Sequence, residues 1–132
     1  MLDRMDIQIE LPSLTYEEIA APDESAERSE VIRARVTEAR AFAQKRMQEN
    51  SAGIFCNAQL DAAGIHRYCQ LDDAASSLLR AAYDRMGLSA RGYDRILRVA
   101  RTIADLDASE LIQAPHVAEA IQLRSLDRKY WG

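Results

Sequence analysis

Four arginines recur along residues 89–106, a segment in which guanidinium groups could bind an anion. Apolar residues return every three or four positions in this segment, which predicts a helix with one buried face. Ser89 suits the N-cap, and Arg91 falls in the first turn, where the helix dipole disfavours a cation by about 1 kcal/mol or less. Because stability does not favour Arg91 there, its guanidinium, beside backbone N–H groups, indicates a site for an anion such as phosphate. The four are Arg91, Arg95, Arg98 and Arg101.

These arginines also have a simpler interpretation as residues of a solvated helix face. They would then pair with Asp94 and Asp105 on neighbouring turns and have no further role. Composition does not decide between the two interpretations. The net charge of -4 argues against a general polyanion-binding surface, but 15 of the 17 basic residues are arginines and could form local clusters.

Sequence runs on both sides of this segment favour the functional interpretation. The run SARGYDRILRVARTIADL, followed by IQAPHVAEAIQLRSLDR, resembles the C-terminal domain of the magnesium-chelatase-like AAA+ ATPases, most closely the ComM/YifB branch. NAQL and RYCQLD match as well, and LDRMDIQIELP is similar to the end of the family's ATPase core. The resemblance implies two parts: residues 1–22 as the end of the AAA+ core, and residues 23–132 as the helical C-terminal lid over the nucleotide.

The resemblance also implies roles for individual residues. Arg91 occupies the position of the sensor-2 arginine, and Arg95 and Arg98 are candidates for supporting phosphate or interface contacts. Arg4 matches the arginine finger that reaches the nucleotide of a neighbouring subunit. The intact protein would be a homo-oligomeric ring that uses ATP and Mg²⁺ and acts on DNA in recombination or competence. Its lid would contact the missing core and the neighbouring subunits.

The chain lacks the motifs of a self-sufficient enzyme. It has no G-x-x-x-x-G-K-[ST] phosphate loop and no strand ending in an acidic pair for magnesium, so we expect no ATPase activity and no cofactor for this fragment alone. His66 and Cys69 have a His-x-x-Cys spacing, but zinc needs three or four convergent donors, and no metal site is predicted. The sequence has no signal peptide or membrane span, and its two cysteines have no secretory pattern, which indicates a cytoplasmic protein without membrane contact.

The expected fold is all-α, a four- or five-helix bundle of the AAA+ lid type with an extended N-terminal β-strand arm. The arm is predicted at residues 5–11, where Ile7, Ile9 and Leu11 alternate with polar residues. No other segment has the pattern of a partner strand. We therefore expect this strand to be disordered or to pair with another copy.

Helices are predicted for the rest of the chain from periodicity and caps. The first long helix carries a buried face of Ile32, Val36, Ala39, Ala43 and Met47, and Gly87 ends a later helix just before the Ser89 cap. A connection this short makes its two helices spatial neighbours. A short turn near Tyr16 precedes helices at about residues 25–50, 60–68, 72–86, 89–106 and 115–124.

Two other classes of function remain open from the residues alone. The helices on either side of Gly87 could form a helix-turn-helix that presents Arg91, Arg95 and Arg98 to DNA. Alternatively, the helix at residues 25–50 could dock a protein partner through surplus apolar surface. DNA binding that weakens steeply with salt would support the first alternative. A protein partner whose binding does not depend on nucleotide would support the second.

Overall fold

The computed structural model describes residues 7–9, 13, 15–20, 27–50 and 56–124, and within these ranges the protein is helical. A five-residue helix, α1, precedes five longer helices, which confirms the all-α bundle. The elements are α1 (Tyr16–Ala20), α2 (Ser29–Asn50), a 3-10 turn (Asn57–Gln59), α3 (Ala62–Tyr68), α4 (Asp73–Met86), α5 (Ala90–Leu106) and α6 (Ala114–Gln122).

Helix α5 lies at the centre of the bundle. It packs against α2, α3 and α6, and α6 also packs against α4. Its residues Ile96, Ala100 and Ala104 are fully buried, and small alanines allow neighbouring helices to approach closely. The segment singled out for its arginines is therefore the element around which the core forms.

Capping residues define the starts of α4 and α5, and the Ser89 cap of α5 was predicted. The Asp72 side chain accepts a hydrogen bond from the Ala75 backbone N–H at 2.8 Å, and Ser89 Oγ accepts one from Gly92 at 3.0 Å. Between the two helices, Gly87 adopts a left-handed conformation with φ 60° and ψ 44°. Glycine reaches this region without the steric penalty of a side chain, so α4 can end there and α5 can begin a few residues later.

A short backbone contact joins the two loops that flank the core. The Ile112 N–H donates to the Gln70 carbonyl at 2.9 Å, and the Asp72 N–H donates to the Ile112 carbonyl at 3.1 Å. These bonds form an isolated parallel bridge between Leu71 and Ile112. The loop after α5 is thereby held beside the loop that begins α4.

The predicted N-terminal strand is not supported. Residues 7–9 are the described part of that segment, and they have no strand conformation. Gln8 is only 4% exposed, whereas Ile7 and Ile9 are 53% and 62% exposed, the reverse of the expected burial. The Gln8 N–H donates to the Leu123 carbonyl at the end of α6. A single backbone bond to a helix end does not form a β-ladder. At this contact Gln8 faces the protein and its apolar neighbours face solvent, so the alternation of apolar residues does not predict which side chains are buried.

The buried face of α2 is also shorter than predicted. Ala39 and Ala43 are buried, but Ile32 and Val36 are each 40% exposed although they lie on the same side of the helix. The 22 residues of α2 span about 33 Å, and its buried positions lie in the C-terminal half. The N-terminal half of α2 therefore leaves an apolar stripe uncovered within the described chain. None of the described helices has the length and apolar character needed to cross a lipid bilayer.

Candidate functional site

The site with the clearest chemical potential is the first turn of α5. Arg91 is the second residue of this helix and is exposed, with the Ser89 cap two residues before it. The first turn of an α-helix leaves backbone N–H groups without helical acceptors, and the dipole adds partial positive charge. An exposed guanidinium at that position can bind a phosphate group in a bidentate manner.

The next two arginines of α5 are less exposed than Arg91. Arg95 and Arg98 are both half-buried, and Arg98 Nε donates to the Leu60 carbonyl at 3.0 Å. This bond ties α5 to the loop that precedes α3. Of the three arginines predicted to bind an anion on this helix, Arg91 is therefore the one most open to solvent.

Arg101, the fourth arginine, does not lie on a solvated face. It is fully buried, and its guanidinium donates to three backbone carbonyls and one carboxylate. Nη1 lies 2.7 Å from the Glu110 oxygen and 3.3 Å from the Tyr68 oxygen, and Nη2 donates to the Ser109 carbonyl. Nε lies 3.1 Å from Asp105 Oδ1. The surface interpretation is wrong for this residue, because the loop after α5 wraps around it.

Asp105 is the other centre of this buried network, which we call the Arg101–Asp105 cluster and which comprises Arg46, Asn57, Arg101 and Asp105. Arg46 of α2 donates to both carboxylate oxygens, at 2.9 and 3.2 Å. Asn57 Nδ2 donates to Asp105 Oδ2 at 2.9 Å, and its Oδ1 accepts from Arg46 at 3.1 Å. One carboxylate thus joins α2, the 3-10 turn and α5.

The cluster positions α5 because its hydrogen bonds join that helix to α2 and to the 3-10 turn; it holds two arginines against one carboxylate, and Arg46 is partly exposed. Burial lowers the pKa of Arg101 from its ordinary value, and the adjacent Asp105 carboxylate opposes that shift. A buried ion pair whose remaining donors and acceptors are satisfied fixes the relative placement of the elements that supply them. The spacing of four residues between Arg101 and Asp105 was visible in the sequence, but nothing local indicated that the pair is buried.

The histidine and cysteine candidates are separated by their surroundings. His66 is exposed and Cys69 is buried, and burial raises the pKa of the Cys69 thiol to about 11. His116 caps α6, since its Nδ1 accepts from the Gln113 N–H at 3.0 Å while its Nε2 contacts Asp107 at 3.0 Å. Within the described ranges, no three His, Cys, Asp or Glu side chains converge as metal ligands would.

The central position of α5 disfavours the helix-turn-helix interpretation. A recognition helix must place several side chains in the DNA groove. Here Arg98 binds the Leu60 carbonyl and Arg101 is enclosed, and both sit on a helix that packs against three others. The candidate arginine finger, Arg4, lies outside the described residues and stays a prediction.

The sequence that forms this bundle matches a known family. The family described as magnesium chelatase, subunit ChlI C-terminal, matches residues 26–124. That match covers most of the chain and all of the helices from α2 to α6. The chain belongs to this family, which confirms the resemblance seen in its sequence.

Individual relatives lie in the ComM/YifB branch. The chain is 39% identical over 127 residues to "Competence protein ComM" of Haemophilus influenzae. It is 35% identical over 127 residues to "Uncharacterized protein YifB" of Escherichia coli. Each alignment covers 96% of this chain and 24% of the relative. The chain therefore spans about a quarter of the length of the curated relatives it matches.

Proposed function

We propose that this chain is the C-terminal lid of a magnesium-chelatase-like AAA+ ATPase and that Arg91 senses the bound nucleotide. The observation that carries the proposal is the exposed position of Arg91 in the first turn of α5. Family membership supports it, because the segment around Arg91 resembles the sensor-2 segment of these ATPases. In the intact ring, Arg91 would contact the γ-phosphate of ATP, whose Mg²⁺ is held by the core.

Other parts of the proposal concern the whole protein. The ring would be homo-oligomeric, Arg4 would reach the nucleotide of the neighbouring subunit, and Arg95 would support phosphate or subunit contacts. ATP hydrolysis would drive remodelling of DNA. The name of the Haemophilus influenzae relative connects that protein with competence, and this supports DNA as the substrate class for the intact ring.

The Arg101–Asp105 cluster gives the sensor a rigid support in this proposal. A residue that responds to phosphate can transmit the response only if its helix moves as a unit with the bundle. The cluster and the Arg98–Leu60 bond hold α5 against α2, the 3-10 turn and the loop before α6. Movement of α5 toward the nucleotide would therefore carry the whole lid.

The test is ATP turnover by the full-length parent with Arg91→Ala. We expect turnover to fall about tenfold or more, equivalent to about 1.4 kcal/mol of lost transition-state stabilisation. Folding should be nearly unchanged because the Arg91 side chain is exposed. Arg91→Lys should recover only part of the activity, since an ammonium group lacks the planar two-donor geometry.

Arg98→Ala is the matched control on the same helix. Its Nε bonds to a backbone carbonyl of the lid, so we expect a smaller effect on turnover than that of Arg91→Ala. If Arg91→Ala hydrolyses ATP at the normal rate, Arg91 is not a sensor and belongs to an ordinary solvated helix face.

A further inference from the structure

A groove lies between α3, α4 and α5, on a part of the bundle that α2 does not line. Two depressions, with cavity volumes of about 540 and 590 Å³, share Leu71, Ser76, Tyr93 and Asp94 and so form one continuous groove. We call it the α3–α5 groove. Its remaining walls combine apolar side chains with Arg80, His66 and Gln70. The apolar part suits a helical or extended segment with an apolar face.

Asp94 gives this groove a charge preference. Its carboxylate is half-buried and lines both depressions. Across the described part of the chain, the Asp94 side chain makes no hydrogen bond or ion pair with another residue. A partly desolvated carboxylate among apolar side chains is stabilised by a cationic partner, Arg above all. Arg80 lines the same groove but is exposed, whereas Asp94 is half-buried. Asp94 therefore favours an apolar segment that carries an arginine.

The N-terminal half of α2 has the complementary chemistry. Ile32 and Val36 are exposed on the side of α2 that is buried farther along the helix. Arg33 and Arg40 flank one edge of this stripe, as the 3.6-residue period requires, and both are exposed. Neither makes an ion pair within the described ranges. Helix α2 has five basic and three acidic residues in a chain of net charge -4.

We propose that the α3–α5 groove of one copy binds the N-terminal half of α2 of a second copy, with Arg33 facing Asp94. The contact joins two different surfaces, so it is head-to-tail and can close into a ring. This inference names a lid surface for the ring assembly in the proposed function and in that respect rests on it. Burial of Ile32 and Val36 supplies the apolar part of the contact, and the Arg33–Asp94 pair sets its register.

Sedimentation of the 132-residue chain without nucleotide, over a range of concentrations, tests the contact. We expect association at high concentration, and we expect Arg33→Glu and Asp94→Lys each to weaken it about tenfold or more. The double variant carrying both changes should restore association, because the new carboxylate on α2 of one copy would then face the new ammonium group in the groove of the next. Arg85→Glu, an exposed change of equal charge on α4, should associate like the unaltered chain.

Cross-linking gives a second measurement that does not depend on the stability of Asp94→Lys. With exposed Cys56 replaced by Ser, the pair Arg33→Cys and Asp94→Cys should be joined between copies by a bismaleimide about as long as an Arg–Asp ion pair, because a direct disulfide needs closer Cβ atoms, and the pair Arg33→Cys and Arg85→Cys should not be joined. A chain that stays monomeric at every concentration, or a charge swap that fails to restore association, overturns the proposal. Arg91→Ala should associate normally, so failure here leaves the sensor assignment standing, and failure of the sensor test leaves this contact standing.

Discussion

At the scale of single residues, burial separates arginines that look alike in the sequence. Arg91 and Arg101 lie on the same helix, yet one is exposed and the other is fully enclosed. Arg101 donates to the carbonyls of Tyr68, Ser109 and Glu110 as well as to Asp105. Its guanidinium satisfies acceptors from three parts of the chain, so its role is structural, whereas Arg91 is open to solvent.

Arg101→Met should destabilise the fold strongly. The substitution keeps much of the side-chain volume but leaves three backbone carbonyls without this donor, while Asp105 keeps its bonds from Arg46 and Asn57. A buried acceptor left unsatisfied costs about 1–3 kcal/mol, so we expect the free energy of unfolding to fall by about 3 kcal/mol or more. The midpoint of urea denaturation measures the change. Arg85→Met, at an exposed position of α4, is the control and should change the free energy by about 0.5 kcal/mol or less.

The raised pKa of Cys69 predicts how the free energy of unfolding depends on pH. Burial raises its pKa from an ordinary 9.0 to about 11, while Arg101 and Arg46 oppose the shift. Below pH 9 the thiol is protonated in both the folded and the unfolded chain. Above pH 9 the unfolded chain loses this proton at a lower pH than the folded chain does. Stability should therefore fall as pH rises from about 9 to 11, by up to about 1.4 kcal/mol per pH unit.

Urea denaturation at about pH 8 to 10 measures this effect as the difference between the unaltered chain and Cys69→Ala. The alanine variant lacks the thiol, so its stability should decline less steeply over the same interval. Parallel declines of the two proteins would show that ionisation of Cys69 is not coupled to folding.

At the scale of elements, the turn between α4 and α5 depends on one backbone conformation. Gly87 has φ 60°, which a residue with a Cβ adopts at a cost of about 1–2 kcal/mol. No described atom lies within 4 Å of where that Cβ would stand, so the expected penalty is conformational and not steric. Gly87→Ala should lower the free energy of unfolding by about 1 kcal/mol.

Gly92→Ala provides the matched control for this turn. Gly92 lies inside α5, and an added Cβ would be 3.4 Å from Ser89 Oγ, an ordinary contact distance. Alanine also has the higher helix propensity, so this variant should not be destabilised. Thermal unfolding of both variants compares them directly, and equal melting temperatures would contradict a conformational requirement at Gly87.

Helix α2 shows that one element can belong to two environments. Its C-terminal half is anchored through Ala39, Ala43 and the bond from Arg46 to Asp105. Its N-terminal half carries the exposed Ile32 and Val36 and an exposed ion pair between Arg35 and Glu27, whose hydrogen bond lowers the pKa of Glu27. In the proposed assembly, the helix is therefore both part of the lid and a surface for contact between copies.

At the scale of the whole molecule, the bundle carries Arg91, the proposed sensor, but the sequence has no phosphate loop that would hold ATP. We expect no ATP turnover by the 132-residue chain and nucleotide binding no tighter than about millimolar. A single guanidinium contact contributes only a few kcal/mol before the entropic cost of association. Phosphate release from highly purified chain measures turnover. Activity that is lost on Arg91→Ala would contradict this expectation, because it would place a complete catalytic site in this chain.

Local interactions made much of the fold predictable from the sequence. Ser89 caps α5 where it was expected to, and Gly87 ends α4. The cap and the helix end depend on residues within about one helical turn. The family resemblance was also carried by short runs of adjacent residues, and it is confirmed.

The tertiary structure decided the features that depend on residues distant in sequence. Arg46 meets Asp105 across 59 positions, and the Gln8 N–H meets the Leu123 carbonyl at the other end of the described chain. Packing between distant segments buries Arg101 and reverses the exposure expected around Gln8. Where no described element packs against α2, half of its apolar face stays uncovered. Periodicity can tell which side of a helix is apolar, but only packing against other elements determines how much of that side is covered.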